Sequence, residues 1–169
     1  MKKIILIVFS LVLIVSAGAI VLYKHFKPAD VSTAFTATES ETVSLSFNES
    51  LEQVRSVPGN YLLFLFSDNE DDEYVWKSLL NPLLMNTDVE IKEITYINTS
   101  STKDLTVTQL KSAYNVERTP SFVSMTVNED KSVQINATLT YFSDKPFSQN
   151  DLKTWLFENN LWTGPYSAR

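Results

Sequence analysis

Five of the six side chains from Asp68 to Glu73 are carboxylates, with Asn69 the exception, and Asp68, Glu70 and Asp72 alternate like the first ligands of a calcium loop. Such a loop needs glycine at its sixth position and a bidentate glutamate at its twelfth, where Glu73 and Leu79 stand. The run is therefore read as capping and complementing the N-terminus of a following helix, which favours negative charge. Other reactive groups are scarce. The chain has no cysteine, which excludes disulfides, thiolate metal ligation and any dithiol redox cycle. Its one histidine, His25, follows an N-terminal apolar segment, so no Ser-His or Cys-His nucleophile can be assembled further along. No spacing singles out a carboxylate pair. Neither a catalytic residue, nor a metal, nor a cofactor is expected. A net charge of −6, a pI near 4.8 and the lack of a basic cluster after the N-terminal segment argue against nucleic acid as a partner.

The other stretch of interest is Val116-Glu-Arg-Thr-Pro-Ser-Phe-Val123. Pro120 follows a helical pattern and opens a run of β-formers, where a strand begins and needs no ladder N–H. The elements that would carry these two stretches can be read in order. Thr42 to Leu45 is a short edge strand, and Asn48 caps a helix with Leu51, Val54 and Val57 on its apolar stripe, ending before Pro58-Gly59. Tyr61 to Phe66 is continuously apolar, as in a central strand buried on both faces. Val75, Trp76, Leu79, Leu80, Leu83 and Leu84 follow a helical period, with Pro82 expected to kink the helix. Val89 to Ile97 reads as a strand whose apolar residues change phase, implying a bulge or two-sided burial. A helix over Asp104 to Tyr114 follows, then strands over Ser121 to Val127 and Val133 to Phe142, joined by the polar turn Asn128 to Lys131. Ser148 and Asp151 form a capping box for a last helix to about Asn159.

This order, (β)αβαβαββα, implies a mixed sheet with helices on both faces, because crossover helices join parallel strands and the hairpin adds antiparallel ones. With the kinking Pro82 and the Thr119-Pro120 turn, the chain from about Ser44 to Trp162 resembles the thioredoxin family. The resemblance implies a cis bond at Thr119-Pro120 beside the active site. It also implies that the family's Cys-x-x-Cys pair, counted back from Pro82, falls on Tyr74 and Lys77. With no thiols, and with Phe64, Leu65 and Phe66 where the family has a buried acid, the implied protein is redox-inactive. Tyr74, Trp76 and Lys77 facing Thr119 and Pro120 would then form a surface holding a protein or an extended peptide. The competing reading of Trp76 is a core side chain and of Tyr74 an ordinary half-exposed ring.

Ile4 to Tyr23 is uncharged and apolar, long enough at 1.5 Å per residue to cross about 30 Å of hydrocarbon. Lys2 and Lys3 precede it and Lys24 and Lys27 follow. Ala17-Gly18-Ala19 has the form of a cleavage site, but Ile20 to Tyr23 continues the apolar run past it, so a retained anchor is the preferred reading. The expected organisation is an anchor (1–27), a flexible Ser/Thr-rich stem (28–43) and an α/β, thioredoxin-like domain (44–163). The expected location is the cell membrane, as a single-pass protein with the domain on the extracellular face. The function implied is a tethered protein-binding module, similar to bacterial extracytoplasmic or bacteriocin-accessory proteins, in export or envelope assembly. The alternative is a holdase-like chaperone derived from an oxidoreductase.

Overall fold

The computed structural model describes residues 44–85 and 91–162. The expected anchor and stem lie outside the described residues. Among the described residues no helix is long and apolar enough to cross a membrane.

The centre of the fold is strand β2, Gly59–Phe66, whose residues Leu62 to Phe66 are all buried. On one side it pairs in parallel with β3, Ile94–Asn98, which pairs in parallel with the short edge strand β1, Leu45–Ser46. On the other side it pairs antiparallel with β4, Ser121–Val127, which forms a hairpin with β5, Val133–Thr140. The sheet order is β1-β3-β2-β4-β5. Alternation along β2 divides the core. Leu63 and Leu65 join Phe47 and Val54 of helix α1, Phe47–Ser56, and Leu110, Ala113 and Tyr114 of helix α3, Val107–Tyr114. The opposite face stacks Phe64 on Phe122, with Phe122 against Trp155 of helix α4, Gln149–Glu158. Helix α2, between β2 and β3, packs on this same face through Trp76, which meets Tyr96 of β3 edge-on, and is tied to α4 by the Gln149 amide on the Leu79 carbonyl. The molecule is thus a mixed five-stranded sheet flanked by helices, as the element order implied.

Several boundaries differ from expectation. Helix α1 is capped by Ser46, not Asn48: the Ser46 hydroxyl accepts from the Glu49 N–H while the Glu49 carboxylate accepts from the Ser46 N–H. Helix α3 starts at Val107 behind a Thr106–Gln109 box, because Asp104 has a left-handed backbone with φ of 59°. Strand β3 begins at Ile94; of the strand expected over Val89 to Ile97, residues 89–90 lie outside the described residues, and Ile91 forms only an isolated bridge to Trp162. Its ladder with β2 is continuous, so the expected bulge is absent there and lies instead between β4 and β5, at Ser124 and Met125. Strand β5 ends at Thr140, short of Phe142.

Helix α2 runs from Glu70 to Leu84 in three segments: Glu70–Tyr74 is α-helical, Val75–Leu80 is π-helical, and Asn81–Leu84 is α-helical again. The wide turn lies just before Pro82. A ring without an N–H disturbs the α ladder there, and one inserted residue per turn absorbs the disturbance. The expected kink thus takes the form of a π segment.

Candidate functional site

The Thr119-Pro120 bond is cis, as the resemblance implied, and both residues are buried. What holds this corner is Asp72, on the first turn of α2. Asn69 caps that turn: its side-chain oxygen accepts from the Asp72 N–H at 2.9 Å, and Asp72 Oδ2 accepts from the Asn69 N–H at 3.1 Å. The same Oδ2 accepts from the Ser67 N–H at 2.9 Å and the Ser67 hydroxyl at 3.1 Å. Ser67 and Thr119 hydroxyls lie 2.7 Å apart, and the Asn69 amide donates to Ser67 Oγ at 2.9 Å. One carboxylate oxygen therefore ties the end of β2, the start of α2 and the residue before Pro120 together.

Asp72 is fully buried, and its Oδ1 has no hydrogen-bond partner. Burial pushes its carboxyl above the usual value, opposed by the N–H groups of Ser67 and Asn69 and by the Ser67 and Thr119 hydroxyls. Arg118 clamps the corner from outside. Its Nη2 donates to Asp71 at 3.0 Å, and its guanidinium lies 5.4 Å from the centre of the Phe142 ring.

The far side of Pro120 is aromatic. Its carbonyl accepts from the Tyr141 N–H at 3.0 Å, and the Tyr141 ring lies 5.6 Å from that of Tyr74. Tyr141 is buried, while Tyr74 is 46% exposed and Phe142 is 38% exposed. Of the five residues named from sequence, Thr119, Pro120 and Tyr74 come together here. Trp76 is directed away, against Tyr96 of β3, in keeping with its reading as a packing residue. Lys77 pairs with Glu73 on the exposed side of α2.

Asp72, Ser67, Asn69, Arg118 and Phe142 were missed as site residues. The signal for Asp72 was present as Asn69-x-x-Asp72, a cap spacing hidden inside an acidic run. No sequence pattern marked Ser67 or Phe142. Among the described residues no group of three or more His, Cys, Asp or Glu side chains could hold a metal ion.

The corner is thus a rigid wall, its polar groups turned inward, with exposed aromatic rings beside it. No protein-family model, curated protein or solved structure matches the chain.

Proposed function

We propose that this chain is a membrane-tethered, redox-inactive module with a thioredoxin-like domain, which holds a protein or an extended peptide outside the cytoplasm in an export, bacteriocin-accessory or envelope-assembly system. The anchor in this reading is the apolar segment from Ile4 to Tyr23. Support for the family comes from the sheet order and from the proline corner lying against the first turn of the helix that follows the central strand. In thioredoxin relatives that helix opens with the cysteine pair. Helix α2 opens at Asn69, so Asn69-x-x-Asp72 has the matching spacing and position, rather than Tyr74 and Lys77. A buried carboxylate and an amide then stand where thiols would be. They are committed to holding the corner, which fits a scaffold.

The observation that carries the binding reading is the pair of exposed rings, Tyr74 and Phe142, flanking a corner whose hydroxyls and amide are turned onto one another. Rings rigidly held by neighbours offer contact area at low entropic cost, and interfaces concentrate such side chains. The test is partner capture by the full-length chain carrying Tyr74→Ala and Phe142→Ala. Capture should fall while the thermal unfolding midpoint stays close to wild type. Undiminished capture with an intact fold would remove this surface.

A further inference from the structure

On the side of the corner away from the aromatic rings, the structure has a cleft of about 520 Å³. It lies at the carboxyl ends of β2 and β3, where these neighbouring parallel strands lead into helices on opposite faces of the sheet. Chains diverging in this way leave a crevice, the usual place for ligands in sheets with parallel strands. The loop after β2 supplies Ser67 and Asn69 to its wall, the loop after β3 supplies Thr99, Thr102 and Asp104, and Thr119 comes from the corner. Leu105 and Leu110 add an apolar part.

Hydrogen-bond polarity indicates what the cleft can take. Asp72 Oδ2 accepts from two backbone N–H groups, so it acts as an acceptor towards the hydroxyls as well. Ser67 and Thr119 each have one proton, and both are consumed among Ser67, Thr119 and Asp72, whichever way the bond between the two hydroxyls runs. Thr99 donates its proton to the Phe66 carbonyl at 2.9 Å. Thr99 is therefore left with a lone pair to offer, whereas Thr119 Oγ1 also accepts from the Asn69 amide at 3.5 Å.

Asp104 adds a carboxylate that has no hydrogen bond or ion pair among the described residues. Thr102 Oγ1 is shielded from solvent and has no partner, so it is out of reach of an occupant in this conformation. The cation on the rim, Arg118, is committed to Asp71 and to the Phe142 ring. The cleft thus presents the Thr99 acceptor and the unpaired Asp104 carboxylate beside the apolar Leu105 and Leu110.

We propose that this cleft receives one cationic, hydrogen-bond-donating side chain, a lysine or arginine, of the polypeptide held beside Pro120. The assignment rests on the binding reading above for its polypeptide but on different residues. An ammonium or guanidinium donates to the Thr99 oxygen and pairs with Asp104, while its methylene stem lies on Leu105 and Leu110. Glutamate would meet the like charge of Asp104, and norleucine would leave that carboxylate unpaired.

The probe is an alanine pentapeptide blocked at both ends with one central lysine, titrated into the isotope-labelled full-length chain and followed by amide chemical shifts. Its controls carry norleucine or glutamate at the centre. The lysine peptide alone is expected to shift the amides of residues 99–105 and 118–119. Asp104→Asn should weaken that binding by roughly two- to fivefold, as expected for an exposed charge pair. Equal shifts from the norleucine peptide, or no response at residues 99–105, overturn the proposal. If all three peptides shift residues 74 and 141–142 and none shifts the cleft, the aromatic surface stands and the cationic pocket falls. If only the cleft responds, and only to lysine, the pocket stands and docking on the aromatic surface falls.

Discussion

Asp72 carries more of the corner than any other side chain, because the two N–H groups, the Ser67 hydroxyl and Thr119 meet at its Oδ2. Truncating it to alanine leaves two backbone donors without their partner, at a cost of about 1–3 kcal/mol in urea denaturation. Its charge works against it. Burial raises its carboxyl above the ordinary 3.8, so the folded state holds the proton more tightly than the unfolded chain does. The native state is therefore favoured by this group below 3.8, and that advantage is lost as pH rises from there through the folded value. Glu49, Glu117, Asp130 and Asp151 are lowered by their hydrogen-bond partners and run in the opposite sense: their contribution is present above the ordinary carboxyl value and is lost as pH falls through the lowered one. They are common to wild type and Asp72→Asn and cancel in a comparison. The stability of wild type minus that of Asp72→Asn should decline as pH rises across this window. A difference that is flat in pH would mean that the carboxylate is not penalised by burial.

At the scale of elements, each of the four helices opens with a reciprocal capping box: Ser46 with Glu49, Asn69 with Asp72, Thr106 with Gln109, and Ser148 with Asp151. Only the last was legible. Asn48 and Asp104 are equally good caps by residue type, and the choice between such neighbours is made by backbone conformation: Asn48 lies within helix α1, and Asp104 adopts a left-handed conformation. Ser148→Ala should cost about 0.5–2 kcal/mol in the urea midpoint, whereas Asn48→Ala, inside its helix and exposed, should cost less than about 0.5 kcal/mol. A larger effect at Asn48 would contradict the capping assignment. Strands β2 and β4 and the β4–β5 turn were read more accurately than the helix starts or β3, since continuous burial of Leu62 to Phe66 and the polar Asn128 to Lys131 turn leave few alternatives. The π segment was not legible. Pro82 announces a disturbance in the ladder, but whether the chain bends or widens depends on how Leu79, Leu80 and Leu83 are packed.

For the whole molecule, the sheet followed from periodicity because strand order is strongly constrained by crossover and hairpin connections. The site did not, because it is assembled from three stretches far apart in sequence: Ser67 to Tyr74, Arg118 to Pro120, and Tyr141 with Phe142. Thr119-Pro120 was the one part that residue type alone could flag. Tyr74 and Lys77 were named by counting back from Pro82, and Trp76 with them as their neighbour, yet helical rotation turns Trp76 towards β3. Removing its ring should accordingly reduce stability, by up to about 3 kcal/mol, and leave binding at the corner intact once the folded fraction is accounted for. The central claim is that the surface formed by Tyr74, Phe142 and Pro120 holds a polypeptide. It is tested most directly by photocrosslinking from a benzoylphenylalanine at position 74 of the full-length chain in cells that produce it. One dominant cross-linked polypeptide, lost when Phe142→Ala is added, is the expected result, whereas a spread of unfolded clients would favour the holdase alternative. No cross-link from position 74, or the same yield from the exposed position 108 on α3, would contradict the claim.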